Sequence, residues 1–222
     1  MTTYVFTIRA LTNLHVGSGD SGGTGVVDKL VQRDVTTQLP TIHASSLKGA
    51  MREHFETFKP KGIDITSIFG SGPRGEARQD ENVQRGSHRF FAADILAIPK
   101  PVDEAPYYKL VGNKNHEANL LAKLVSLGAN ISITNLPNHD GDLKELAREG
   151  ELPVVARNYL DNGVSKNLWY EEIVPRESVF IAAIQAPNAT LVNALNNQVV
   201  QLGGNATVGY GYCLFNLIEK IN

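Results

Sequence analysis

The two ends of this 222-residue chain carry its clearest periodic patterns, and the order of these patterns restricts the fold. Residues 4–11 alternate between the two faces of an extended chain, with Tyr4, Phe6, Ile8 and Ala10 on one face, which predicts a strand. A helical pattern with one apolar stripe then follows Ser45, which we predict to be the helix N-cap. The first half of the chain therefore opens with a strand and a helix.

The last 45 residues predict a second set of the same elements. Residues 178–186 are typical of a strand, and residues 188–202 have helical spacing that ends at Gly203 and Gly204. In that helix we expect Leu191, Leu195, Val199 and Leu202 to point inward. Residues 212–218 predict a last strand.

This order predicts an α+β fold with a ferredoxin-like, RRM-like β-α-β-β-α-β core. We expect a single domain over residues 1–222, with its core in about 1–70 and 177–222 and an inserted region in about 71–176. The insertion is predicted to contain a polar surface loop, two strands and two helices. Their ranges are 70–89 for the loop, 89–98 and 130–134 for the strands, and 116–127 and 143–149 for the helices.

Composition limits the class of protein. A hydrophobic content of 42% supports one sizeable core, and no apolar run is long enough to predict a membrane span or a signal peptide. Cys213 is the only cysteine, so no internal disulfide forms, which fits a reducing cytoplasm. It lies in an apolar strand, where we expect a buried and inert thiol.

The net charge weighs against a general nucleic-acid binder, because such proteins usually carry a basic surplus. The formal charge is −2 and the isoelectric point is near 6.3. A nucleic-acid ligand therefore requires a local cluster of cations, which Lys29, Arg33, Lys48 and Arg52 are able to supply.

One acid stands out beside these cations. Asp28 follows a glycine-rich loop, residues 17–25, and lies in an extended segment between Val27 and Lys29. A carboxylate there can hold a hydrated divalent cation or orient a ribose 2′-hydroxyl. Surface acids in turns and salt bridges are common, so the spacing alone leaves both interpretations open.

The predicted helix start is suited to a polyanion. Ser45, Ser46 and Lys48 offer two hydroxyls and a charge within one turn. Gly49 costs the helix about 1 kcal/mol relative to alanine, so we expect a ligand to approach this turn closely.

A second glycine-rich segment, residues 203–212, precedes the last strand. Its glycines, including Gly204, Gly209 and Gly211, permit positive φ and allow backbone N–H groups to approach phosphates. Tyr210 is able to stack on a base. A plain connection between a helix and a strand explains the same residues equally well.

An aromatic and basic segment occupies residues 157–176, with turn signals around residues 162–167. Trp169 and Tyr170, with Lys166 and Arg176, can form a hairpin that stacks on a nucleic-acid strand. The alternative is a hairpin that only packs against its own Trp169.

Together these segments resemble the RAMP superfamily of CRISPR proteins. The resemblance rests on the first glycine-rich loop and on four short segments: 27–34, 39–40, 45–49 and 209–212. Residues 152–158 and 163–178 narrow it to the repeated backbone subunit of type III-B (Cmr) effector complexes.

The resemblance implies a protein whose copies stack into a filament along a guide RNA, together with other Cmr subunits. Complementary target RNA is cut at regular intervals through attack of a 2′-hydroxyl on the adjacent phosphate. A divalent metal, Mg²⁺ or Mn²⁺, takes part without being enclosed by a complete protein site. No membrane is involved.

The resemblance also assigns roles to residues of this chain. Asp28 matches the family's essential aspartate, so it is the expected catalytic and metal-binding residue. A hairpin called the thumb, at roughly Asn158 to Arg176, displaces one base at each interval; its named residues are Asn158, Lys166, Trp169, Tyr170 and Arg176. The expected RNA-binding residues are Lys29, Arg33, Ser45, Ser46, Lys48, Arg52, Gly204, Gly209, Tyr210 and Gly211.

Two other functions stay open at this point. The chain is alternatively a non-catalytic RNA-binding scaffold of the same kind of complex. It is otherwise a guide-processing nuclease of a related branch, but such enzymes usually have histidine-centred sites, and Asp28 argues against that reading.

Overall fold

The computed structural model describes residues 1–19, 27–71, 84–131, 136–148 and 150–218. Within these ranges, the helices are α1 Ala44–Phe58, α2 Ile65–Phe69, α3 Lys114–Ser126, α4 Lys144–Ala147 and α5 Thr190–Leu195. The strands are β1 Thr2–Ala10, β2 Thr41–Ile42, β3 Arg89–Phe90, β4 Ala93–Pro101, β5 Tyr108–Val111, β6 Val154–Asp161, β7 Val164–Glu172, β8 Val179–Ala186, β9 Gln198–Gln201 and β10 Tyr212–Ile218.

The fold is a mixed α+β structure built on one antiparallel sheet. Its strand order is β2-β4-β8-β1-β10-β9, with β3 paired to β8 and β5 paired to β4. Strands β6 and β7 form a separate two-stranded hairpin. We call this hairpin, Val154–Glu172, the thumb.

Helices cover both faces of the sheet, and the strand patterns follow from this. The alternation of β1 places Phe6, Ile8 and Ala10 in the larger core, beneath α1 and α5, and Val5 in a smaller core beneath α3. The central strand β8 is buried on both sides, which explains its nearly continuous apolar sequence. Each fully buried large side chain of this kind stabilises the fold by about 1.5–3 kcal/mol.

The start of α1 differs from the prediction. The helix begins at Ala44, so His43 is the N-cap and makes no side-chain capping bond. Ser45 is therefore an exposed residue of the first turn, and the prediction of a Ser45 cap is wrong. The apolar stripe is confirmed, because Leu47, Met51 and Phe55 are buried.

The predicted helix over residues 188–202 is wrong in its second half. Helix α5 ends at Leu195, and β9 then pairs with β10 at the edge of the sheet. Strand geometry turns successive side chains to opposite faces, so Val200 is buried and Val199 is exposed. Backbone pairing along the sheet edge outweighs the helical spacing of these residues.

The other predicted elements are mostly present. The strand expected over residues 89–98 is interrupted between β3 and β4, and the helices expected over 116–127 and 143–149 appear as α3 and the shorter α4. Residues 72–83 of the predicted loop, residues 132–134 of a predicted strand and residue 149 lie outside the described ranges. Ala129, just before that strand, forms a single bridge with Thr3.

Cys213 is fully buried in β10, as expected, and burial raises the pKa of its thiol to about 12. The thiol is therefore protonated and unreactive at neutral pH.

None of the helices in the described ranges has the length and apolar character needed to cross a membrane.

The connection before β10 depends on one glycine. Gly211 has a φ of +80°, and a Cβ placed on it would lie 1.9 Å from the carbonyl oxygen of Leu202. Gly209 has a similar φ of +82°, but a Cβ there would meet nothing within 4 Å. The two glycines therefore separate the effect of backbone strain from the effect of a steric clash.

We expect Gly211→Ala to lower the free energy of unfolding by about 3 kcal/mol, because the clash adds to the unfavourable φ. Gly209→Ala serves as the matched control and should cost only about 1 kcal/mol. Urea-unfolding curves of the two variants measure both values, and equal losses would contradict the steric role of Gly211.

Candidate nucleic-acid interface

Asp28 lies in the extended segment that hydrogen-bonds to strand β7 of the thumb. Its Oδ2 accepts a hydrogen bond from the backbone N–H of Tyr170 at 2.8 Å. The N–H groups of Asp28 and Lys29 donate to the carbonyl oxygen of Tyr170 at 3.0 and 3.1 Å. The carboxylate is exposed but held in direction by the backbone of β7.

Asp28 lines a pocket of about 340 Å³ with His15 and with residues 17–19. The Nδ1–H of the buried His15 donates to the carbonyl oxygen of Glu172 at 2.7 Å. In the neutral ring Nε2 is then an acceptor, and it would lie 3.1 Å from a Cβ placed on Gly17. Glycine at position 17 keeps this side of the imidazole uncovered.

Two adjacent carboxylates, Glu171 and Glu172, are buried at the base of the thumb, each only 1% exposed. The carboxylate of Glu171 accepts four hydrogen bonds, from Lys29 Nζ at 3.1 Å, Trp169 Nε1 at 2.7 Å, Arg157 Nε at 2.9 Å and Asn205 Nδ2 at 2.8 Å. Burial would raise the pKa of Glu171, but hydrogen bonds from Trp169, Lys29 and Asn205 outweigh it and lower the pKa to about 2.

Glu172 bonds to residues on the side of β7 opposite the partners of Glu171. It accepts a hydrogen bond from the backbone N–H of Val31 at 3.1 Å and an ion pair from Arg33. Arg33 also donates to the carbonyl oxygens of Gln38 and Ala147, and its side chain is only 9% exposed. We predicted Arg33 as a phosphate contact, but its guanidinium is largely buried and is bonded to groups of the protein.

Two other cations that we predicted to bind RNA, Lys29 and Arg52, each form an ion pair within the protein. Lys29 pairs with Glu171, and its Nζ lies 5.1 Å from the ring centroid of Trp169, yet about half of its side chain is exposed. Arg52 pairs with Glu56 and donates to the carbonyl oxygen of Gly70 at 3.2 Å, joining α1 to the end of α2.

In the terminal glycine segment, the backbone N–H groups of the four residues that we predicted to contact RNA bond within the protein. The N–H groups of Gly204, Gly209, Tyr210 and Gly211 donate to the carbonyl oxygens of His15, Ala206, Asn205 and Asn13, respectively. The guanidinium of Arg157 lies 4.5 Å from the ring centroid of Tyr210. The glycines therefore shape the loop, and these four amides are already bonded within the protein.

A second groove, of about 430 Å³, lies between the start of α1, Gly17 and the end of β9. Ser46 and Gly49 line it, and a Cβ on Gly49 would meet nothing within 4 Å. The approach of a ligand that we predicted from Gly49 is therefore sterically open. Ser45 and Lys48 lie on the same turn; within the described residues, no carboxylate forms an ion pair with Lys48.

Gln32 fixes the shape of this groove, and our sequence reasoning missed it. Its Oε1 accepts from the N–H of His43 at 2.8 Å, and its Nε2 donates to Ser46 Oγ at 3.0 Å and to the Gly17 carbonyl oxygen at 3.2 Å. The available signal was a glutamine between Val31 and Arg33, where a buried polar side chain needs partners.

The thumb spans Val154–Glu172, about four residues before the range that we predicted at each end. Asn158 and Lys166 are exposed, and Trp169 and Tyr170 are half-buried at its base. Arg176 lies outside the hairpin, where its N–H donates to Asn13 Oδ1. Five large apolar residues of the thumb are exposed: Val154, Tyr159, Leu160, Val164 and Leu168.

The comparisons define the class of protein first. The RAMP superfamily model matches residues 7–214, so the chain belongs to this superfamily, as its motifs predicted. A relative from Pyrococcus furiosus (strain ATCC 43587 / DSM 3638 / JCM 8422 / Vc1), named CRISPR system Cmr endoribonuclease Cmr4, is 25% identical over 299 aligned positions, which cover 100% of this chain and 98% of the relative.

Solved structures share the fold. A chain of the type III-B Cmr-beta complex bound to cognate target RNA superposes with a TM-score of 0.71 at 23% identity, covering 98% of both chains. Oligomeric Cmr4 from Pyrococcus furiosus superposes with a TM-score of 0.63 at 19% identity over 100% of both chains.

The lowered pKa of Glu171 predicts a pH-dependent stability. The folded pKa, about 2, is below the usual value of 4.5, so the stabilisation is complete above pH 4.5 and is lost as the pH falls toward 2. We expect the wild type to lose about 3 kcal/mol more than Glu171→Gln across this window. Urea unfolding at several pH values measures the difference, and a gap that stays constant with pH would contradict it.

Proposed function

We propose that this chain is a guide-RNA-binding backbone subunit of a type III-B CRISPR complex, in which Asp28 cleaves complementary target RNA. The observation that carries the proposal is the exposed Asp28 carboxylate, aimed by the Tyr170 backbone into a pocket at the base of the thumb. The alternative, a scaffold that binds RNA without cutting it, differs only in the role of Asp28.

The family supports this proposal. The Pyrococcus furiosus relative is named an endoribonuclease, one solved neighbour contains target RNA, and another is oligomeric. We infer that copies of this chain assemble with each other and with other Cmr subunits on the guide. The single buried cysteine supports a cytoplasmic location.

We further propose that the core is ferredoxin-like, or RRM-like. The four strands β4-β8-β1-β10, with α1 after β1 and α5 after β8, have the connectivity that a β-α-β-β-α-β unit requires. On this assignment β4 is the second core strand, although it lies in the range 71–176 that we expected to be an insertion. The core of the single domain over residues 1–222 then includes β4, so the range 71–176 is not an insertion throughout.

The guide is proposed to follow the groove at the start of α1. Ser46 lines this groove, Ser45 and Lys48 lie on the same helical turn, and Gly49 leaves room for a sugar-phosphate backbone. Lys29 is available at the edge of the Asp28 pocket. Arg33 is removed from the set of proposed RNA contacts, because its guanidinium is buried against Glu172.

Cleavage at Asp28 follows from positioning and proton transfer. A base displaced by the thumb frees its nucleotide to bring the 2′-oxygen in line with the adjacent phosphorus, which a stacked A-form strand prevents. Asp28 accepts the 2′-hydroxyl proton as the O2′–P bond forms. The P–O5′ bond breaks, water protonates the leaving oxygen, and the products are a cyclic phosphate and a 5′-hydroxyl.

The donor set fits a divalent metal only as a site shared with RNA. In the part of the chain that the structure describes, no three His, Cys, Asp or Glu side chains are grouped to hold an ion, and Asp20 lies outside that part. Asp28 would supply one ligand, and RNA phosphates and water would supply the others. A bound Mg²⁺ or Mn²⁺ would stabilise the charge that develops on the phosphate oxygens.

Asp28→Asn tests the catalytic role with little change in shape. The asparagine Oδ1 can still accept from the Tyr170 N–H, so the loop should keep its position. In an assembled complex we expect target RNA to bind as in the wild type and to stay intact. Gel analysis of labelled target measures this, and cutting at the wild-type rate would remove Asp28 from the mechanism and favour the scaffold.

Lys48→Ala tests the guide path. The variant should bind guide RNA more weakly, with a slope of log K against log salt that is smaller by about 0.7–0.9, because one phosphate contact is lost. Lys61→Ala, beyond the other end of α1, is the control and should leave the slope unchanged. An unchanged slope for Lys48→Ala would exclude Lys48 as a phosphate ligand.

A further inference from the structure

We propose that Glu171 is a positioning residue that fixes Asp28 relative to the thumb and the terminal glycine segment, and thereby fixes which phosphate is cut. The inference rests on the function proposed above. It concerns the four donors to this one buried carboxylate, which come from three separate elements. Those elements are the Asp28 segment, the thumb and the terminal glycine segment.

One oxygen of Glu171 serves the Asp28 side. Oε1 accepts from Lys29, the residue next to Asp28, and from the indole of Trp169. Tyr170, directly before Glu171, holds Asp28 through both of its backbone polar groups. A rotation of this end of β7 therefore moves the Asp28 carboxylate.

The other oxygen serves the terminal glycine segment. Oε2 accepts from Arg157 of β6 and from Asn205. Asn205 has a φ of +64° and begins the single 3₁₀ turn Ala206–Val208, and Arg157 stacks on Tyr210 at the end of the same loop. The carboxylate thus joins the loop to the thumb, while Gly204 in that loop bonds to His15 of the Asp28 pocket.

The negative charge is needed for this arrangement. A carboxylate offers only acceptors, and all four of its partners are donors. A glutamine of the same size offers one acceptor oxygen and an NH₂ group that would face donors. Because the site is buried, at least one donor would lose its partner, and the three elements would separate or rotate to rehydrate it.

The test is Glu171→Gln in the assembled guide-RNA complex. The control is Glu117→Gln, the same change at a buried, ion-paired glutamate on α3, which covers the other core. Rates are normalised to the amount of assembled complex. We expect Glu171→Gln to cut target RNA about tenfold more slowly or worse, and at more than one phosphate per interval. The control should cut at the wild-type position and rate.

Guide affinity separates positioning from a general structural role. It should stay within about twofold of the wild type for Glu171→Gln, because none of the four side chains that bond to Glu171 lines the α1 groove. A single wild-type cut position at an unchanged rate would overturn the inference. An equal loss of rate in Glu117→Gln would also overturn it, because Glu171 would then only support the fold.

Amide hydrogen exchange provides a readout that does not depend on cleavage. Glu171→Gln should exchange faster at residues 28–31 and 205–211 together, and Glu117→Gln should not. Faster exchange in neither segment, or in only one, would overturn the coupling. If the wild type fails to cut, the proposed function is wrong, and the exchange data still decide whether Glu171 links these elements.

Discussion

The junction between the thumb and the sheet depends on two carboxylates that are removed from water. Burying a charge is costly unless it is paired and fully hydrogen-bonded, and removing one partner leaves a large penalty. Glu171 and Glu172 meet this condition with donors from opposite sides of β7. Because those donors lie on Lys29, Arg33, Arg157 and Asn205, the same bonds determine where the thumb stands relative to the rest of the site.

This arrangement places the candidate site outside the hydrophobic core but beside a hydrogen-bonded strand. Asp28 is exposed, yet three hydrogen bonds to Tyr170 hold it to a strand whose end is anchored by buried charge. The groove at α1 is similarly held by Gln32, which bonds to the helix start and to the Gly17 carbonyl. On the proposed function, side chains on a loop would obtain the precision that catalysis requires from the hydrogen bonds of neighbouring residues.

The glycines of the terminal segment and of α1 have different structural roles. Gly211 is required because a carbonyl oxygen occupies the position of its Cβ, and Gly203 is close to the His15 backbone in the same way. Gly49 borders an open groove, where a side chain would obstruct a ligand rather than the protein. The sequence indicated a close approach at Gly49 and positive φ in the terminal segment, but only the structure shows a protein carbonyl beside Gly211 and open space beside Gly49.

Local patterns in the sequence were enough to predict the sheet strands β1, β8 and β10, the stripe of α1, the family and the candidate residue Asp28. Hydrophobic period and short motifs are properties of neighbouring residues, so they need no knowledge of the rest of the chain. The tertiary structure alone decided that 198–201 is a strand, that Arg33 is an internal ion pair and that Glu171 joins three elements. These outcomes depend on partners distant in the chain, such as Asn205 for Glu171 and Glu172 for Arg33, and burial and pairing are set only when the fold brings those partners together.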